Sequence, residues 1–149
     1  MDREEKNIQA EQERRVITQR EEIEKARKFF DGDRFAVENG AVIEAIGDHY
    51  ARCSMKLEPK HRNAVGIVMG GAYFTLADFA FAVAANWQRV GTVSLTSNIT
   101  FCGAAKGEYI CAEAVCKKDG RSTCLYEINV KDELGNLAAV VSINGFHRA

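Results

Sequence analysis

Gly70-Gly71-Ala72-Tyr73-Phe74-Thr75-Leu76-Ala77-Asp78-Phe79-Ala80-Phe81-Ala82-Val83-Ala84-Ala85-Asn86-Trp87 is the stretch whose reading decides the fold. After the glycine pair it is apolar on every side, with Thr75 and Asp78 the only strongly polar groups before Asn86. Such a helix is a core helix or a membrane span. The run is at the short limit for a bilayer and would set Asp78 near the hydrocarbon centre without a partner. We therefore read it as the buried helix of a soluble protein. A buried carboxylate needs hydrogen bonds, a countercharge or a proton, so Asp78 is the first residue to explain.

At 149 residues the chain has room for one domain with a real core. A net charge of -1 argues against general affinity for nucleic acid or anionic membranes, and leaves small molecules or proteins as partners. The five cysteines are an odd number without a Cys-x-x-Cys pair, as in a reduced, cytoplasmic protein. The charged start, Met-Asp-Arg-Glu-Glu-Lys, has no secretory signal.

Outward from the centre, the hydrophobic period changes twice. Residues 1–30 form a charged helical extension, with a helix expected from about Glu11 to Phe30, a frayed start, and Val16, Ile23, Ala26 and Phe30 on one face. Asp31-Gly32-Asp33 ends it, and a short helical turn over Arg34 to Glu38 follows. Residues 31–149 then make the main domain. Alternation predicts strands at 41–46 and 49–57 before the central helix and four more after it, with Asp119-Gly120 as the strongest hairpin signal. In the strand from Gly91, Val93, Leu95, Ile99 and Phe101 are expected on one face and Ser94, Thr96, Asn98 and Thr100 in a polar row opposite. Short links demand antiparallel neighbours, and a helix apolar all round must be enveloped. The predicted fold is α+β: one curved antiparallel sheet wrapped around one helix, partly covered by a second subunit.

The helix start offers unpaired N–H groups and the positive end of the macrodipole, a place to hold an oxyanion. Asp78 is a candidate general base or nucleophile. Gly70 and Asp78 are ~12 Å apart along one helix, too far to share a carbonyl carbon. A twofold dimer would join one chain's glycine end to the other's aspartate.

The stretch Asn63-Ala64-Val65-Gly66-Ile67-Val68-Met69-Gly70-Gly71, followed by Leu76-Ala77-Asp78, resembles the hot-dog-fold acyl-CoA thioesterases, most closely the PaaI-like branch. The resemblance covers about residues 40–147. It implies a homodimer, often paired into a homotetramer, acting on acyl-CoA without metal or redox cofactor. It makes Asp78 the base or nucleophile, Gly70 with Gly71 the oxyanion hole, Asn63 the thioester- or water-positioning group, and Ser94 or Thr96 the holder of the attacking water. Met69 stands where the family has histidine, and Cys102-Gly103-Ala104-Ala105-Lys106 lacks the family's Arg-Pro. The alternatives are a non-catalytic module that binds acyl-CoA or an aromatic acid, and an interaction protein built on the N-terminal helix.

Each assignment has a plainer counterpart. Asp78 also fits a structural carboxylate, the glycine pair a tight helix entry, and Asn63 a loop cap. Met69 and His61 are candidate pocket contacts, although His61 reads as an exposed loop residue. Lys117, Lys118 and Arg121, with Lys106, form either a cradle for coenzyme A phosphates or ordinary charged turns. His49, His61 and His147 are scattered, which argues against a metal site. Tyr73, Phe74, Phe79 and Phe81 read as core, with one or two available to line an acyl tunnel.

Overall fold

The structure, a computed structural model, describes residues 2–148, and for residues 11–18 the backbone alone. Its elements are α1 (Arg3–Phe30), α2 (Arg34–Glu38), β1 (Ala41–Gly47), β2 (Tyr50–Lys56), a 3₁₀ turn (Pro59–His61), α3 (Gly70–Asn86), β3 (Thr92–Phe101), β4 (Tyr109–Asp119), β5 (Thr123–Asp132) and β6 (Leu137–His147). The strands form one antiparallel sheet in the order β1-β2-β4-β5-β6-β3. This is the wrapped helix expected from the sequence, a hot-dog fold with an added N-terminal helix.

Alternation builds the core. Ala51, Cys53 and Met55 on β2, Ile110, Ala112 and Ala114 on β4, Ile128 and Val130 on β5, and Val141 and Ile143 on β6 are buried on one face of the sheet. Leu76, Ala77, Ala80 and Val83 of α3 are fully buried with them, and the alanines let the helix approach the sheet closely. Register shifts in β1, β3 and β4, and between β5 and β6, add the bulges that curl the sheet around α3. One stripe of α3 escapes this cover: Gly71, Phe74, Thr75, Asp78, Ala82 and Ala85 keep solvent access.

Two expectations need correction. Helix α1 begins at Arg3, not near Glu11, because Asp2 caps it: the Asp2 side chain accepts from the N–H groups of Glu4 and Glu5, and Glu5 accepts from the Asp2 N–H. Ile23, Ala26 and Phe30 pack inward as expected, whereas the side chain of Val16 lies outside the described residues. Arg27 anchors α1 to the edge of the sheet by donating two hydrogen bonds, of 2.9 and 2.7 Å, to Ile43 O.

The second correction concerns β3. Leu95 is an extra residue in the ladder, since Ser94 pairs with Gly145 and Thr96 with Asn144. Directly opposed residues share a face. Ser94 therefore lies on the helix side with Ile99 and Phe101, while Thr96, Asn98 and Thr100 lie on the other side. The polar row is broken because a bulge resets the period of two. Strand β3 is also an edge, which leaves Leu95 and Phe101 more than half exposed.

Buried Asp132 ties the open end of the sheet together. Its carboxylate accepts from the backbone N–H groups of Lys106, Gly107, Leu134 and Asn136, and from Asn136 Nδ2. Burial pushes its pKa up, but these donors outweigh burial and hold it far below the usual carboxylate range. Asp132 thus stabilises the fold above the ordinary carboxylate pKa and loses that contribution as pH falls through the depressed value. We expect Asp132→Ala to cost about 2–4 kcal/mol at neutral pH by orphaning several donors. Denaturant titration should show this deficit narrowing once the pH falls below the ordinary carboxylate range.

Candidate active site

Helix α3 begins without a side-chain cap. Met69 holds the N-cap position in extended backbone but has no acceptor to offer. The Ala72 N–H donates to Met69 O at 3.0 Å, whereas those of Gly70 and Gly71 meet no acceptor among the described residues. Two free donors at the positive end of a helix dipole suit an anion or an oxyanion. Glycine at position 70 lets the Phe101 ring pack against the helix start, since a Cβ there would lie 2.7 Å from it.

The preceding loop is closed by Asn63. Its Oδ1 accepts from the N–H groups of Val65 and Ile67, each at 3.1 Å, and its own N–H donates to Ile67 O. The oxygen is thus committed to the loop, and the Nδ2 group donates to nothing among the described residues. Asn63 is a loop cap with a free donor, so the two expected roles are compatible. The loop also leaves Val65 77%, Ile67 48% and Met69 45% exposed, an apolar rim next to the free N–H pair.

Asp78 lies two turns along α3 on its uncovered stripe. It opens into a cleft of about 440 Å³ lined by Phe74, Thr75 and Phe79 of α3 and by Asp33, Arg34, Phe35 and Ala36. Its carboxylate accepts no hydrogen bond from any described residue. Arg34, the cation in the lining, is committed elsewhere: it pairs with Glu38 at 2.7 Å and contacts Asp31 O. Burial raises the Asp78 pKa, and the negative charge of Asp33 raises it further. Burial raises Asp33 as well. An unpaired, half-buried carboxylate with increased basicity is equipped to take a proton from water.

A smaller pocket of about 130 Å³ adjoins the helix start, lined by Met69, Gly71, Ala72, Thr75, Met55, Phe35, Asn39, Lys60 and His61. Here the sequence misplaced His61, which is 3% exposed and not a surface residue. Its Nδ1 accepts from the Glu58 N–H at 2.9 Å, so the proton is on Nε2, which donates to Asn39 O at 2.7 Å. Both ring nitrogens are spent on structure.

The other candidates are dispersed. Lys117, Lys118 and Arg121 are exposed on the β4–β5 hairpin, at the end of the sheet where Trp87 Nε1 donates to Gly47 O and His147 meets Asp119. In one chain that is the C-terminal end of α3, a helix of 17 residues and ~25 Å, opposite Gly70. Lys106 lies at the Gly70 end, beside Ala105, whose N–H donates to Tyr73 Oη. Ser94 and Thr96 fall on opposite faces of β3, so only one of them can face a given cleft. Tyr73, Phe79 and Phe81 are core residues, and Phe74 is half-buried against the cleft. Asp33 and Phe35 were missed by the sequence reading; they lie before the stretch that carries the motif. Among the described residues no three His, Cys, Asp or Glu side chains are grouped to hold a metal, and no helix is long and apolar enough to cross a membrane.

Comparison with known proteins fits this geometry. Residues 65–139 match the family model of the thioesterase superfamily. A protein of Archaeoglobus fulgidus named "Putative esterase" is 35% identical over 101 residues, 67% of this chain and 66% of that protein. The acyl-coenzyme A thioesterase PaaI of Escherichia coli is 28% identical over 109 residues, 72% of this chain and 78% of that enzyme. The solved structure of E. coli PaaI shares the fold at a TM-score of 0.79 and 24% identity, covering 88% of this chain and 95% of that one. The chain belongs to the thioesterase superfamily and has a PaaI-like hot-dog fold.

Proposed function

We propose that the protein hydrolyses an acyl-CoA thioester of small, medium or aromatic acyl group in a site shared by two subunits of a homodimer, itself paired into a homotetramer. The observation that carries this reading is the unpaired, half-buried Asp78 carboxylate at the family's spacing from the free N–H groups of Gly70 and Gly71. The dimer follows from the ~12 Å between them in one chain and from the uncovered apolar surface of β3, the 63–69 loop and the α3 stripe. Five unpaired cysteines are in keeping with a cytoplasmic setting.

In the proposed reaction the thioester oxygen points at the Gly70 and Gly71 N–H groups, and Asn63 Nδ2 orients the substrate. Asp78 of the other subunit takes a proton from water as its oxygen attacks the carbonyl carbon. The helix start holds the resulting oxyanion. Collapse breaks the C–S bond, and the departing thiolate takes the proton from Asp78, giving the free acid and coenzyme A. Attack by Asp78 itself, through a mixed anhydride that water then opens, uses the same groups. Ser94 or Thr96 would hold the water, and Lys106, or Lys117, Lys118 and Arg121 of the other subunit, would meet the phosphates.

Met69 favours a second reading. A thioether neither donates nor carries charge, so this site lacks the histidine of its relatives and suits a protein that binds acyl-CoA without turnover. Thiol release from a panel of short, medium, long and aromatic acyl-CoAs separates the two. We expect turnover by the native protein and a loss of about 100- to 10,000-fold in Asp78→Asn. Binding that raises Tm without thiol release would establish the second reading instead.

Two further outcomes test the geometry. A raised carboxyl pKa in the folded state contributes stability that is present below the unfolded value and lost as pH rises through the folded value. Asp78→Asn should therefore raise Tm at neutral pH, with the gain vanishing in acid; a lower Tm at neutral pH would contradict an unpaired carboxylate. Mixing Asn63→Ala and Asp78→Asn chains should restore one working site per heterodimer, measured as recovered thiol release. Heterodimers without recovery would overturn the shared site.

A further inference from the structure

Phe35 is the least explained large side chain beside the active-site clefts. It is 73% exposed, although α2 otherwise packs Ala36 against the core. It lines both the Asp78 cleft and the pocket at the helix start, and of the remaining lining residues only Thr75 does the same. Phe35 and Thr75 therefore mark the seam at which the two cavities meet.

The helix that carries Phe35 is clamped. Arg34 donates to Glu38 Oε1 through Nε and Nη2, across one turn of α2. Asn39 Nδ2 donates to Phe35 O at 2.7 Å. The loop before the glycine pair reaches back to the same end of α2, with Lys60 Nζ donating to Glu38 O at 3.0 Å and His61 Nε2 donating to Asn39 O. The loop leading to the oxyanion donors thus also fixes the platform from which Phe35 projects. An exposed aromatic ring on a clamped support, over a cleft that Ala36, Phe74 and Phe79 also line, is arranged to contact an apolar ligand, since the ring loses little freedom when it is covered.

We propose that Phe35 is a specificity-determining residue that forms one wall of the acyl-binding groove, and that the acyl group crosses the seam between the two cavities beneath it. This deepens the thioesterase reading and rests on it. The ligand class is an acyl group with an apolar body long or broad enough to reach the seam; acetyl is too small to be covered by the ring. His61 is then a positioning residue, holding α2 through Asn39 O without touching the substrate.

The test compares native protein with Phe35→Ala and Phe35→Leu on acetyl-CoA and on medium, long and aromatic acyl-CoAs. We expect Phe35→Ala to lower the ratio of kcat/KM for the best apolar substrate over acetyl-CoA by about 10- to 100-fold, the worth of covering one large apolar side chain. Phe35→Leu should keep part of the preference. Because the ring is exposed, Tm should stay near native. An unchanged ratio overturns the proposal, as does a fall in every substrate together with loss of self-association by sedimentation, which would make Phe35 a subunit contact. Affinities for acetyl-CoA and the other acyl-CoAs, measured by calorimetry on the same variants, give the same ratio without turnover. A native chain that binds but does not hydrolyse counts against hydrolysis, and its binding ratio still decides the role of Phe35.

Discussion

The fold depends on the burial of one helix by a sheet that can reach only part of it. Helix α3 has almost no polar side chain to offer to water, so the chain must supply cover on every side. A six-stranded sheet with two free edges does not close around a cylinder ~10 Å across. It buries Leu76, Ala77, Ala80 and Val83 and leaves Gly71, Phe74, Thr75, Asp78, Ala82 and Ala85 open. Helix α1 closes part of the gap, with Phe30 packed edge-on against Phe79 at 6.2 Å. The candidate site occupies what remains. Asp78 is half-buried for the same reason that α3 is incompletely wrapped, and its raised pKa follows from that position.

Much of this was legible because periodicity reports burial directly. The strand pattern of two placed Ala51, Cys53 and Met55 inward, and the absence of any pattern in Gly70 to Trp87 marked a helix that must be surrounded. The reading failed where a local hydrogen bond overrode the period. Leu95 adds a residue to β3 and separates Ser94 from Thr96, which no single-strand pattern can reveal because the bulge is defined against β6. At the start of the chain, the Asp2 and Glu5 capping box begins α1 in a stretch with little apolar material besides Ile8, where hydrophobic spacing gives no signal.

The candidate site was legible in part for a different reason. Asp78, Gly70 and Asn63 sit at fixed spacings within one segment, and a motif of that kind survives in the linear sequence. Asp33 and Phe35 belong to the same cleft as Asp78 but lie at the start of a five-residue helix more than forty positions before it. Their neighbourhood is created by the clamp on α2, made by Lys60 and His61, and the sequence contains no repeat or spacing that announces it. His61 shows the same effect: a loop histidine became a buried strut because Glu58 and Asn39 present one donor and one acceptor at the distance of its two ring nitrogens.

That commitment of His61 bears on the substitution at Met69. A site that has lost an imidazole at the helix start can regain one only from a nearby side chain, and His61 is the histidine that lines the same pocket. Its Nδ1 accepts from a backbone N–H and its Nε2 donates to a carbonyl, so recruiting either nitrogen would orphan a buried backbone group and release α2. In the proposed reaction the helix start therefore relies on its backbone donors and on Asn63 Nδ2, with no imidazole. Thioester chemistry is the acyl transfer least hindered by that loss, because a thiolate leaves without prior protonation and the demand on the site falls on the developing oxyanion. Two N–H groups at a helix N-terminus are suited to that demand, and Met69 adds only apolar surface beside them. An ester or amide, whose leaving group needs a proton as it departs, gets none from Met69.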